Sequence, residues 1–287
     1  MQRSCCRRNW PEIVPKKYFP MILLSFDTEE FDLPREHGVE ISLKDGMKVS
    51  VEGTCRVLDI LRRNGVRATF FCTANFAENA PEVMQRIVSE GHEVASHGVD
   101  HFQPQESDIK QSKQILERIT GQEIGGYRQP RMLSVSDEAI EQAGYRYNSS
   151  LHPAFIPGRY MHLREPRTPF YRGRVLEIPT SVSPWFRLPV FWLACHHYPT
   201  WLYRKLCLWT LHHDGQFVIY FHPWEFINLR KHPEWNIPYV ISRNTGETME
   251  KRLEMLIQTF KNDGVPFATY SEFTLAYEKS HNSSSSL

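Results

Sequence analysis

Apolar positions in this chain fall into short unbroken runs separated by stretches of helical period, and the two kinds of segment alternate. Residues 21–26 (MILLSF) run apolar apart from one serine and end in the acidic cluster DTEEFD. That is the pattern of a strand buried on both faces that delivers carboxylates at its C-terminal end. Residues 51–63 read as a helix stopped by Gly65, and 66–71 (VRATFF) as a strand, which together complete one βαβ unit. Pro81 opens a helix with Val83, Met84, Ile87 and Val88 on one face and Gly91 at its end, before a strand over 92–96. Ser107 caps a helix carrying Ile109, Ile115, Leu116 and Ile119, closed by Gly121 and followed by a strand over 124–127. Ser136 caps the next helix, 137–143, with Gly144 and a short strand at 145–147.

Residues 152–200 break this rhythm with prolines and aromatics around one strand at 175–178 (VLEI), an insertion expected to shape a site. The alternation resumes with a buried strand at 217–221 (FVIYF), a helix at 249–261 closed by Gly264, and a strand at 266–270. Strands alternating with helices predict an α/β fold with a parallel sheet, and seven or eight such units are enough to close it into a barrel. One barrel domain is expected over 20–278, after a flexible leader over 1–19 and before a disordered serine-rich tail over 279–287. In a barrel the site lies at the C-terminal ends of the strands.

Composition narrows the function classes. The 34 Lys plus Arg against 33 Asp plus Glu leave no field of one sign, which removes nucleic acid from the expected partners. With 41% hydrophobic residues the chain can bury a sizeable core. No apolar run reaches the roughly 18 residues of a membrane span, and the first residues lack a signal-like apolar stretch, so a cytoplasmic protein is expected. Six cysteines without paired spacing read as reduced thiols.

Four candidate elements fall at predicted strand ends: Asp27 with Glu29 and Glu30, SHGVDH at 96–101, YRQP at 127–130 and FHPWEF at 221–226. His97 and His101 are spaced so that one turn brings both imidazoles to one side, and with a carboxylate they make a facial metal triad that leaves positions open for water and substrate. Two histidines hydrogen-bonded at a helix start are the alternative, and the neighbouring carboxylates weigh against it.

These elements, in this order and spacing over most of residues 20–275, resemble the polysaccharide deacetylases of carbohydrate esterase family 4. The resemblance implies a distorted (β/α)7-type barrel, a bound divalent metal, usually zinc, and hydrolysis of the linear amide bond of an N-acetylated sugar. It also implies roles by position: Asp27 as base, Glu29, His97 and His101 as metal ligands, Arg128 as the arginine that orients the base, and His222 as the acid. The commonest family pattern has two adjacent aspartates, and here Thr28 holds the second place. The pairing of Asp27 with Glu29, one residue apart, resembles a branch acting on bacterial surface-glycan precursors; Glu30 and Asp32 compete for the ligand role. Where the family often places an acid to orient its histidine, this chain has Asn148. Pro130 belongs to the substrate-binding turn, and Trp185 and Trp224 are candidate sugar-stacking walls, with core packing as the alternative.

Other readings are a deformylase or ureido-type amide hydrolase on the same scaffold, and a catalytically silent glycan-binding protein. The substrate expected is an N-acetylated sugar, with nucleotide- and lipid-linked forms among the candidates. Residues 189–213 add a membrane-surface reading: Trp201, Leu202, Leu206, Leu208 and Trp209 at helical spacing beside Arg204 and Lys205 suit a peripheral contact at the inner membrane face, or else an ordinary amphipathic helix over the barrel.

Overall fold

The computed structural model describes residues 20–156, 160–161 and 163–284. Its first half runs β1 (Met21–Thr28), α1 (Leu33–Glu36), α2 (Leu43–Asn64), β2 (Thr69–Cys72), α3 (Ala74–Asn79), α4 (Pro81–Ser89), β3 (Glu93–Ser96), α5 (Asp108–Thr120) and β4 (Gly126–Tyr127). Then come α6 (Asp137–Gln142), β5 (Tyr147–Asn148), the short pair β6 (Phe155–Ile156) and β7 (Tyr160–Met161), and the hairpin β8 (Phe170–Arg172) with β9 (Val175–Glu177). The chain closes with α7 (Trp192–His197), α8 (Thr200–Asp214), β10 (Gln216–Phe221), α9 (Tyr239–Ser242), α10 (Glu247–Asn262), β11 (Phe267–Ala268) and α11 (Tyr270–Ser284).

The main sheet has nine strands in the order β10-β1-β2-β3-β4-β5-β9-β8, with β11 paired to β1. Every neighbour pair is parallel except the hairpin β8–β9. The α/β barrel expectation therefore holds, and the distortion has a visible cause. Between β9 and β10 a loop takes the place of a strand: Ser181 donates its N–H to the Val218 carbonyl at 2.9 Å, and its Oγ accepts the Val218 N–H at 2.9 Å.

Strand alternation sorts the core into two layers. Ile22, Leu24 and Phe26 of β1, Phe70 of β2, Val94 of β3 and Phe217, Ile219 and Phe221 of β10 pack outward under the helices. Leu23, Phe71, Ala95, Leu176 and Val218 point inward, where Tyr270, Phe273 and Tyr277 of α11 complete the interior cluster. The same alternation carried forward puts Asp27, His97 and His222 on the inner side at the C-terminal ends of β1, β3 and β10.

Element ends differ from expectation in instructive places. Helix α2 begins at Leu43, eight residues before the predicted start, with Ser42 Oγ accepting the Asp45 N–H at 3.1 Å. Two glycines that weaken helix propensity there are needed for close approach. A Cβ on Gly46 would sit 2.6 Å from the Phe31 carbonyl, and one on Gly53 would sit 2.1 Å from the Pro223 carbonyl. Helix α11 follows β11 directly and continues through Ser284, so the tail expected to be disordered from 279 is helical up to that residue. The expected leader over 1–19 lies outside the described residues.

Helix α8 starts after Pro199, as the sequence reading has it, but its buried residues are Tyr203, Cys207, Thr210 and Leu211. Trp201 stands exposed beside Lys205, while Leu206 and Leu208 pack partly buried against the core, so the expected stripe from Trp201 to Trp209 is split between the solvent and the barrel. No helix among the described residues is long and apolar enough to cross a membrane.

Candidate active site

A cleft of about 620 Å³, counting its solvent-open mouth, lies at the C-terminal strand ends and is lined by Asp27, Glu29, His97, His101 and His222 together. Within it, Glu29 Oε2 stands 3.4 Å from His97 Nε2 and 3.2 Å from His101 Nε2, with all three residues buried.

Each imidazole is held from behind. His97 Nδ1 donates to the Arg128 carbonyl at 2.8 Å, and His101 Nδ1 faces Asp32 Oδ2 at 2.9 Å. Both partners accept, so the protons sit on Nδ1 and the Nε2 lone pairs point at Glu29. Glu29 Oε2 is itself buried without a hydrogen bond. An uncompensated buried carboxylate oxygen facing two imidazole lone pairs is costly alone and is satisfied by a cation. One carboxylate and two imidazoles fit a divalent ion with open coordination positions.

The competing acids have other partners. Glu30 Oε2 accepts from Thr73 Oγ1 at 2.7 Å, and its Oε1 accepts the His101 N–H at 3.2 Å, which staples the loops together. Asp32 supports His101. Both acids are buried. Burial and the loss of solvation raise the Glu30 carboxyl above its ordinary range, outweighing those hydrogen bonds. For His101 burial acts against charging, but Glu29 and Asp32 overcome it and raise the group to about 9, so a second proton on Nε2 competes with a cation for the lone pair that faces Glu29.

Asp27 lies beside the triad, clamped by an arginine that is 0% exposed. Arg128 Nη1 donates to Asp27 Oδ1 at 2.5 Å and to Ser25 Oγ at 3.0 Å. Nε reaches the Ser149 carbonyl at 3.1 Å, Nη2 reaches Ser149 Oγ at 3.0 Å and Tyr270 OH at 2.9 Å, and the guanidinium sits 3.9 Å over the Phe71 ring. Burial pushes the Asp27 carboxyl up; Arg128, His97 and His222 outweigh it and hold the group below its usual range. Asp27 is therefore ionised at neutral pH.

On the opposite wall His222 ends β10 between aromatic rings: Trp224 stacks on it at 4.8 Å and Trp192 meets it edge-on at 5.3 Å. Burial lowers its tendency to charge, and Glu225, Glu29 and Asp27 reverse that, so the net shift is upward. A histidine held near charging can hold a proton for delivery at neutral pH.

Of the expected substrate contacts, Trp224 lines the cleft while Pro130 and Trp185 do not. Pro130 is buried against Gly98. Trp185 lies outside the cleft lining: it is 78% exposed in a turn at φ 61° and meets Trp209 and His213 edge-on at 5.8 and 6.3 Å. Asn148 donates to Glu177 Oε2 at 2.7 Å, and the acid that contacts His222 is Glu225. Sequence reasoning missed Glu225, Trp192, Tyr220 and Arg131. Glu225 stands three residues after His222 inside the quoted FHPWEF and was open to recognition; Trp192 enters from the insertion and had no local signal.

The family model for polysaccharide deacetylase matches residues 20–148. A peptidoglycan deacetylase of Helicobacter pylori is 30% identical over 39% of this chain and 42% of its own length. An uncharacterized 30.6 kDa protein of Geobacillus stearothermophilus is 32% identical over 48% of this chain and 52% of its own. The chain thus spans about half the length of these curated relatives. Among solved structures, a Mycobacterium smegmatis protein provisionally assigned to the polysaccharide deacetylases superposes with a TM-score of 0.62 at 18% identity, covering 96% of this chain and 94% of that one. The Puue allantoinase gives the same TM-score at 15% identity over 95% and 93%. At these identities the superpositions show the fold.

Proposed function

We propose that this chain, whose residues 20–148 match the polysaccharide deacetylase family model, is a metal-dependent N-deacetylase of an aminosugar in a glycan or glycan precursor. The observation that carries the reading is the meeting of Glu29, His97 and His101 within one cleft that Asp27 and His222 also line. In this reading Glu29, His97 and His101 hold a divalent ion, zinc by family resemblance. Bound there, it supplies Lewis-acid polarisation at neutral pH, which an unactivated amide needs.

This chain's own groups account for the proton traffic. Asp27, ionised and aimed by Arg128, takes a proton from the attacking water. His222 gives a proton to the departing nitrogen, so the sugar leaves as an amine and acetate remains. The rings of Trp192, Tyr220 and Trp224 make a largely apolar wall that suits the face of a sugar and excludes bulk water.

The test is acetate release from acetylated chitooligosaccharides, peptidoglycan fragments and nucleotide- or lipid-linked N-acetylaminosugars, with and without a chelator, with formate measured alongside. Chelator-sensitive acetate supports the proposal. Formate in place of acetate favours the deformylase reading, and no release from any of them by metal-loaded protein removes the catalytic assignment. Sedimentation with anionic liposomes tests contact at the inner membrane face, for which Trp185, Phe186 and Trp201 are among the exposed aromatic residues.

A further inference from the structure

Helix α7, inside the proline- and aromatic-rich insertion, reaches His222 through a buried chain of hydrogen bonds. The His222 N–H donates to Glu225 Oε1 at 2.6 Å, and His222 Nδ1 faces the same oxygen at 2.9 Å. Glu225 Oε2 faces His196 Nε2 at 2.8 Å, and His196 Nδ1 lies 2.7 Å from the Arg243 carbonyl oxygen. Glu225 and His196 are both 0% exposed, and neither lines the cleft. Trp192, one turn before His196, stands edge-on to both imidazoles, 5.5 Å from His196 and 5.3 Å from His222.

Donors and acceptors fix most of the protons. A carbonyl only accepts, so His196 Nδ1 carries a proton. Its Nε2 faces a carboxylate oxygen, and a second proton there makes His196 an imidazolium paired with an ionised Glu225, so that no net charge is buried by the pair. On the other side, Glu225 Oε1 accepts both the main-chain N–H and the Nδ1–H of His222. That leaves Nε2 as the ring nitrogen which exchanges a proton with the cleft. Asp27 and Glu29 also face His222, and around His196 the charged neighbours are Glu225, His197 at 6.3 Å between rings, and Arg252 of α10 on the Cys195 carbonyl at 2.7 Å.

Resting on the reading of His222 as the acid, we propose that Glu225 and His196 are positioning residues: a buried carboxylate–imidazolium pair that locks His222 in one tautomer and one orientation. Glu225 supplies the acceptor. His196 offsets its charge, so that the pair buries no net charge behind His222. The insertion thereby provides what Asn148 does not, since Asn148 is engaged with Glu177 and with Ser150 Oγ at 2.6 Å.

The pair is tested on the zinc-loaded full chain with ¹⁵N-labelled histidine, by long-range ¹H–¹⁵N correlation spectra of wild type, Glu225→Gln and His196→Gln. In the wild type His196 shows protons on both ring nitrogens and His222 shows one on Nδ1. In Glu225→Gln the His222 pattern becomes a tautomer mixture. In His196→Gln, whose amide still donates to Glu225, the His222 tautomer is retained while kcat for acetate release falls about 10-fold, at unchanged KM and zinc content. A bare ring nitrogen on His196 in the wild type, or an unchanged His222 signal in Glu225→Gln, overturns the proposal. If the wild type releases no acetate, the deacetylase reading fails and the spectra still decide the pair.

Discussion

Replacing Arg128 with methionine removes a buried cation from a site that offers it five hydrogen bonds: two from Nη1, two from Nη2 and one from Nε. The side chain that remains fills much of the space, so packing loss is small and the effect is that of the lost charge and its hydrogen bonds. Asp27 is then left as a buried carboxylate without its counter-ion. Breaking a buried pair in this way costs about 3–5 kcal/mol. At roughly 2–4 °C per kcal/mol for a domain of this size class, the melting temperature should fall by about 6–20 °C.

The assay is urea and thermal unfolding of chelator-treated protein, because a bound ion would add its own stability. Two controls sharpen it. Asp27→Asn with Arg128→Met removes both charges, so the double variant should lose less than the sum of the singles, by about 1–3 kcal/mol. In Arg128→Met the largest of the groups that oppose burial is lost and only His97 and His222 remain, so the Asp27 carboxyl rises relative to wild type. The penalty is then present at high pH and is relieved as acid protonates the group, so the deficit against wild type should narrow from pH 8 to pH 5. A cost under about 1 kcal/mol, or strict additivity in the double variant, refutes the reasoning.

Three further outcomes are expected. Asp32→Asn should weaken metal affinity by about 10–100-fold through the lost support of His101, whereas Glu30→Gln should lower stability and leave affinity nearly unchanged; competition titration with a chromogenic chelator separates them. Gly53→Ala, with a Cβ driven to 2.1 Å from the Pro223 carbonyl, should displace the turn that carries His222 and Glu225, reducing kcat and costing about 2 kcal/mol or more in unfolding assays. His92 is held neutral, lowered to about 4 by burial, while its Nδ1 accepts the Ala68 N–H at 3.2 Å. Its folded value lies below the unfolded one, so stability is full above about pH 6.5 and is lost as pH falls toward 4, by up to about 3 kcal/mol. His92→Asn, which keeps an acceptor, should flatten that slope.

The reacting groups were legible because period-two alternation needs no tertiary information. Leu23 and Ser25 precede Asp27 on one face of β1, and Val218 and Tyr220 precede His222 on one face of β10, so the strand pattern alone aims both the proposed base and the proposed acid inward. What failed to show depended on contacts distant in sequence. His196 lies 29 residues from Glu225 and 47 from Arg243. No local pattern links them. Trp185 misled because an aromatic in a proline-rich insertion has the same local appearance whether it lines a cleft, as Trp192 does, or turns outward on a left-handed residue. The early start of α2 was hidden by Gly46 and Gly53, whose low helix propensity is outweighed by the backbone approach they permit. Glu30 and Glu29 are neighbours with opposite duties, which alternation alone separates only once the strand's end is known.

The central claim, that this cleft works through a divalent ion held by Glu29, His97 and His101, is tested most directly by metal analysis paired with acetate release on the same preparations. Wild-type protein should carry about one zinc equivalent, lose both metal and turnover to a chelator, and recover both on adding zinc back; His97→Ala and His101→Ala should bind little metal and release no acetate. Full acetate release from metal-stripped wild type, or full metal occupancy in either histidine variant, would contradict it.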